Sequence, residues 1–156
     1  MHDDRISTAA GLYIHVPFCR SKCAYCDFYS TTDHAHVDAF IDALSREMEM
    51  HRGFAPAFDT VYLGGGTPSC LTADCLADML RQLRSAFPVV PGAETTVEVN
   101  PGDVDTAFLG RLREAGFTRV SIGVQSFDDD ILSTLGRRHN GREGLEAIES
   151  ARRAGF

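Results

Sequence analysis

Apolar positions along this chain follow two periods in turn. Short runs rich in β-branched residues alternate with longer stretches whose apolar residues recur at i, i+3, i+4 and i+7, the pattern of βα units built on a parallel sheet. The runs predict strands at 12–16, 60–63, 95–99 and 119–124. Between the first two lies a helix with Val37, Phe40, Ile41, Leu44 and Met48 along one face, for which Asp33 is the expected cap. A second helix starts near Thr72, whose side chain can cap the free amide of Asp74 or Cys75, and Leu76, Met79, Leu80, Leu83 and Phe87 form its inward stripe. Helices are further expected at 105–115, 128–135 and 143–154, the first with Phe108, Leu109 and Leu112 inward.

An internal echo bears on organisation. The third long helix ends in Arg-Glu-Ala-Gly-Phe at 113–117, with Gly116 as its C-cap, and a strand follows at once. The sequence closes on Arg-Arg-Ala-Gly-Phe at 152–156, where a fifth strand is expected to begin. The chain therefore reads as an N-terminal tail, 1–10, and the first part of a longer domain, 11–156, cut before strand five. Four parallel strands would leave an exposed sheet edge, so the piece alone is expected to be poorly stable or prone to aggregate.

Composition adds exclusions. A length of 156 residues with 44% hydrophobic and 24% charged residues describes one globular domain and excludes disorder, collagen and coiled coil. The net charge of -7, concentrated in the first half, argues against a broad nucleic-acid surface and makes the second half the more favourable place for any anionic ligand. No apolar run approaches the roughly 20 residues of a membrane helix, and the start, MHDDRISTAAG, lacks the regions of a signal peptide. A cytoplasmic setting is the default expectation. Five cysteines, three in one short loop, do not resemble a disulfide framework and read as reduced thiols or metal ligands.

Cys19, Cys23 and Cys26, spaced C-x3-C-x2-C directly after the first strand, are the sharpest chemical feature. Three thiolates in one loop can wrap a soft metal centre. Zinc would call for a fourth ligand, and His15 and Asp27 are poor candidates for it. A cubane iron–sulfur cluster held by three cysteines leaves one iron open, which suits the loop better. Spacing alone leaves both centres standing.

The segment YIHVPFCRSKCAYCDF, 13–28, resembles the cluster loop of the radical S-adenosylmethionine (SAM) superfamily. YLGGGTPS (62–69), VEVNPG (97–102), SIGVQSF (121–127) and LGRRHN (135–140) resemble, in order, one branch of it, the proteins similar to oxygen-independent coproporphyrinogen III oxidase. The resemblance implies an α/β fold, a partial (β/α)6 barrel of which this chain holds about the first four βα units. It also implies a [4Fe-4S] cluster on Cys19, Cys23 and Cys26, with SAM chelating the open iron and yielding a 5'-deoxyadenosyl radical on reduction, the hard chemistry belonging to the cofactors.

By the same resemblance, Tyr13 and Tyr25 approach SAM and the cluster, and Gly65, Gly66 and Thr67 meet the methionine part of SAM. Ordinary packing of the aromatics and a tight strand-to-helix turn at the glycines are the plainer alternatives. Glu98 should point opposite to Val97 and Val99; a carboxylate there needs a partner, either a ribose or amino group of SAM or an inward arginine. Gln125 could bond the same ligand. Arg137 could clamp a carboxylate of SAM or of a substrate by its planar fork, or stand as a solvated cation at a helix end. Cys70 and Cys75 read as small buried hydrophobes; His34, His36, His51 and His139 could in principle ligate haem, with a solvent-exposed histidine the plainer reading of each. Asp128, Asp129 and Asp130 read as a charged helix start.

Two functions divide the branch. The porphyrinogen dehydrogenases carry a further cysteine two residues past the third; here Cys26-Asp27-Phe28 takes that place. The C-D-F form resembles the haem chaperones, which bind haem and deliver it to haem proteins. That reading implies haem or porphyrin as ligand, haem-accepting proteins and an electron donor as partners, and no nucleic acid or integral membrane segment. The alternative is the dehydrogenase that oxidatively decarboxylates coproporphyrinogen III to protoporphyrinogen IX in porphyrin biosynthesis. A radical SAM protein acting on an unrelated substrate is the third reading.

Overall fold

The computed structural model describes residues 10–156, and in it the four apolar runs pair into one parallel sheet of order β1-β2-β3-β4. β1 (Ala10–Val16) leads to α1 (Val37–Met50), β2 (Phe58–Gly65) to α2 (Ala73–Ala86) and β3 (Val89–Val99) to α3 (Thr106–Ala115); β4 (Arg119–Ile122) leads to α4 (Asp129–Thr134) and α5 (Gly141–Arg153). The expected tail, 1–10, lies outside the described residues apart from Ala10, which pairs with Phe58.

Side-chain alternation along the strands decides which face meets what. Ile14 and Val16, Val61 and Leu63, and Val97 and Val99 are buried, and they share a core with Leu76, Leu80 and Leu83 of α2 and Leu109 and Leu112 of α3. Parallel crossovers between neighbouring strands are right-handed. The helices therefore collect on that apolar face and pack in sequence, α1 on α2, α2 on α3 and α3 on α5. The opposite face carries Tyr13, Tyr62 and Glu98. A sheet covered on one side, with a polar and aromatic layer on the other, is a sector of a barrel rather than a doubly wound sheet.

Several boundaries differ from those the pattern predicts. β3 begins at Val89 rather than 95, because the Pro91-Gly92 pair that reads as a turn is absorbed by a register shift between Phe58 and Thr60 of β2. β4 ends at Ile122, short of 124, where the chain turns toward Gln125, a non-glycine residue at φ 68. Asp33 does not cap α1: the helix starts behind His36 without a side-chain cap, and Asp33 Oδ1 instead accepts from the Ala35 N–H at 2.9 Å. Thr72 does cap α2, accepting from the Cys75 N–H, and Gly116 closes α3 at φ 103. α5 starts at Gly141, earlier than expected, because Asn140 and Glu143 form a reciprocal capping box. Two short 3-10 turns, Pro68–Cys70 and Pro101–Asp103, follow β2 and β3 and were not evident from the pattern.

The turn after β2 depends on a missing side chain. The Gly66 N–H donates to the Val16 carbonyl at 2.9 Å, and a Cβ at Gly66 would stand 2.8 Å from both the Val16 and Phe18 carbonyl oxygens. Those are backbone atoms with little room to yield, so Gly66→Ala should cost ~1–3 kcal/mol. Gly110 in α3 has nothing within 4 Å of the same position, and Gly110→Ala should stabilise by ~0.5–1 kcal/mol. Urea denaturation of both variants checks the pair; equal midpoints would contradict the steric account.

Candidate functional site

The strands end in one cleft of about 380 Å³, at the C-terminal edge of the sheet. The cysteine loop forms one wall. It is closed at its neck by the Cys19 N–H donating to the Thr31 carbonyl at 2.9 Å and the Thr31 N–H donating to the Pro17 carbonyl at 2.8 Å. Cys19, Cys23 and Cys26 all line the cleft and none is in a disulfide. Among the described residues, no three His, Cys, Asp or Glu side chains stand close enough together to hold a single metal ion.

Of the other expected contacts, Tyr25, Gly65, Gly66, Thr67, Glu98, Gln125 and Arg137 line the same cleft. Tyr13 does not; it stands on the same sheet face, half-exposed, stacked on Tyr62 with ring centroids 5.9 Å apart. Glu98 alternates away from Val97 and Val99 as expected, and it is held by a tyrosine and a backbone amide in place of an arginine: Oε1 accepts from the Tyr62 hydroxyl at 2.6 Å and Oε2 from the Gly65 N–H at 3.1 Å. Burial, aided by the Glu98 carboxylate, pushes the Tyr62 phenol above its ordinary pKa, so it stays a donor to Glu98 at neutral pH.

Arg137 is not a solvated helix-end cation. One terminal nitrogen donates to Cys23 Sγ and to the Tyr25 hydroxyl, each at 3.3 Å; the other donates to Asn100 Oδ1 at 2.6 Å and to the Gly123 carbonyl at 2.7 Å. Its Nε is buried with no partner among the described residues. Thr67 Oγ1 is tied to Cys19 Sγ at 3.4 Å and to Asn100 Nδ2 at 3.1 Å.

Two residues escaped the sequence reading. Asn100 sits two positions after Glu98 and so continues the same strand face, but the Asn-Pro-Gly run reads as a stop signal. Asp103 lies in the following 3-10 turn with its carboxylate only 1% exposed, between Arg20 Nε at 2.9 Å and Arg138 at 3.3 Å. The cations of the cleft come from both halves of the chain, since Arg20 and Lys22 line it with Arg137 and Arg138.

The expectation of exposure also fails for His139, which is 5% exposed and shares a hydrogen bond of 3.0 Å with the Val124 carbonyl through Nε2. Burial lowers its pKa from the ordinary value. His34 is exposed, yet its Nε2 reaches the Cys19 carbonyl at 3.0 Å and helps hold the loop. His36 and His51 are exposed. Cys70 and Cys75 are half-buried, and burial pushes the Cys70 thiol up to about 12 and raises that of Cys75.

Comparison with known proteins gives concordant findings. The family model of the Radical SAM superfamily matches residues 13–156. The chain is 42% identical over 147 residues to the heme chaperone HemW of Mycobacterium tuberculosis and 38% identical over 144 residues to that of Escherichia coli, covering 90% of this chain in each case. It spans 38% of the length of both relatives. Among solved structures it superposes on coproporphyrinogen III oxidase (HemN) from Escherichia coli, described as a radical SAM enzyme, with a TM-score of 0.85 and 30% identity, covering 96% of this chain and 35% of that one.

Proposed function

The chain belongs to the radical SAM superfamily, whose model covers almost all of it, and from that premise we propose that it is the N-terminal part of a haem chaperone that holds a [4Fe-4S] cluster, SAM and haem. Its four-stranded parallel sheet matches part of the barrel of the Escherichia coli oxidase. The observation that carries the site is the convergence of Cys19, Cys23 and Cys26 with Thr67, Glu98 and Arg137 on one cleft.

The residues fit the implied groups. Three reduced thiols on one wall are a soft donor set suited to an iron–sulfur centre. The buried Nε of Arg137 is a donor with no hydrogen-bond partner among the described residues, and a carboxylate would satisfy it. When bound, the cluster and SAM supply one-electron chemistry that no side chain provides.

The chain's own residues bind and orient. Arg137 would meet the carboxylate of SAM. Glu98, fixed by Tyr62 and the Gly65 amide, would accept from its amino group or ribose. Gln125 reaches the cleft from a backbone at φ 68, a conformation that costs ~1–3 kcal/mol for a residue other than glycine and is the kind of local strain that functional sites retain. Gly65, Gly66 and Tyr25 would approach the same ligand from the β2 turn and the loop, Gly66 being required by the backbone as well. Tyr13 would act from below, through Tyr62.

The haem assignment rests on two supports. The curated relatives at 42% and 38% identity are heme chaperones, and Phe28, which lines the cleft at 64% exposure, stands where the dehydrogenases carry a further cysteine. Haem-accepting proteins, an electron donor and a cytoplasmic setting belong to the same proposal. No helix among the described residues is long and apolar enough to cross a membrane.

The test is an anaerobic assay of the cluster-loaded full-length gene product with reductant, SAM and coproporphyrinogen III, run beside a haem titration. Stoichiometric haem binding without protoporphyrinogen formation is expected. Many turnovers per protein would replace the chaperone by the dehydrogenase.

A further inference from the structure

Two of the cleft's three thiols receive a hydrogen-bond donor, and both donors hang on one side chain. Asn100 Oδ1 accepts from Arg137, which donates to Cys23 Sγ; Asn100 Nδ2 donates to Thr67 Oγ1, which reaches Cys19 Sγ. The orientation of the amide is fixed by chemistry. Guanidinium only donates, so Oδ1 must face Arg137 and Nδ2 must face Thr67.

The proton on Thr67 is directed in turn. With Nδ2 donating to its oxygen, the hydroxyl hydrogen is left to point at Cys19 Sγ. Asn100 is itself held in place: its N–H donates to Ser69 Oγ at 3.0 Å, and its carbonyl accepts from the Asp103 N–H at 3.1 Å. Gly123 makes room beside it, since a Cβ there would lie 3.0 Å from Asn100 Oδ1.

We propose that Asn100 is a positioning residue for the cysteine site, aiming Thr67 at the Cys19 sulfur and Arg137 at the Cys23 sulfur and so setting the reduction potential of the cluster those sulfurs hold. The inference rests on the cluster reading given above. Donors to cysteine sulfur withdraw electron density and favour the electron-rich reduced state, and such bonds are among the terms that set iron–sulfur potentials. Losing them makes the cluster harder to reduce.

The experiment is an EPR-monitored redox titration of the reconstituted full-length gene product and of Asn100→Ala, Thr67→Val, Thr67→Ser and the Asn100→Ala/Thr67→Val double variant, without SAM or substrate. Asn100→Ala should move the midpoint potential to more negative values than Thr67→Val, because it releases both donors. Thr67→Ser, which keeps the hydroxyl, should stay at the native potential. In the double variant, Thr67→Val should add less than it does alone, since its donor is already misdirected. A native potential in cluster-loaded Asn100→Ala, or full additivity in the double variant, would overturn the proposal while leaving the cluster reading intact. A native protein that takes up no cluster would overturn both. Should Asn100→Ala lose its fold by circular dichroism, the Thr67→Val and Thr67→Ser pair carries the test: equal potentials in those two would refute a hydroxyl aimed at Cys19.

Discussion

Cys23→Ala in the full-length gene product, reconstituted anaerobically with iron and sulfide, is expected to lose the cluster, with iron and acid-labile sulfide falling by more than about tenfold. Neither of the two remaining thiols among the described residues is suited to take over. Cys70 is pushed up to about 12 by burial and its Sγ donates to the Phe18 carbonyl, so it stays protonated at neutral pH and is a poor ligand. Cys75 is likewise raised by burial, on α2, away from the residues that line the cleft. Cys70→Ala should therefore load iron as the native protein does. Full iron and sulfide in Cys23→Ala would remove the triplet as the ligand set. The structure adds a second consequence, because Arg137 donates to Cys23 and would lose one of its four donated contacts.

Much of this architecture is legible in the sequence because it follows from period. Alternation alone sends Glu98 away from Val97 and Val99 and so into the cleft, and the i, i+3, i+4 stripe of α2 identifies Leu76, Leu80 and Leu83 as core. The cysteine loop was legible because spacing and chemistry coincide. What escaped lies where no period operates. Asn100 and Asp103 flank and occupy the 3-10 turn after β3, where proline and glycine read only as stops. The roles of neighbouring arginines were equally hidden: Arg137 turns to Cys23 and Asn100, while Arg138 turns to Asp103. His139 looked like any polar histidine, and its burial follows from tertiary packing and the Val124 carbonyl, which local sequence does not report.

Asp103→Ala is expected to be the most damaging change among the residues that period could not reveal. Its carboxylate is 1% exposed and joins three segments: Arg20 belongs to the cysteine loop, Arg138 to the link between α4 and α5, and Ser69, whose hydroxyl lies 3.5 Å away, to the turn after β2. Breaking a fully buried ion pair costs about 3–5 kcal/mol. Here the arginines are 51% and 43% exposed and can recover water once freed, so the expected loss is smaller, about 2–3 kcal/mol. It should appear as a lower urea midpoint at unchanged slope. The damage should also be local. Arg20 follows Cys19 directly, so amides of residues 19–30 should exchange faster with solvent in the variant, while those of α2 and β2 change only as global stability does. Asp103→Glu, which keeps the charge at the cost of a displaced backbone or side chain, should recover part of the loop protection. Uniform exchange across the chain in Asp103→Ala would show that the carboxylate contributes to stability without fastening the cysteine loop.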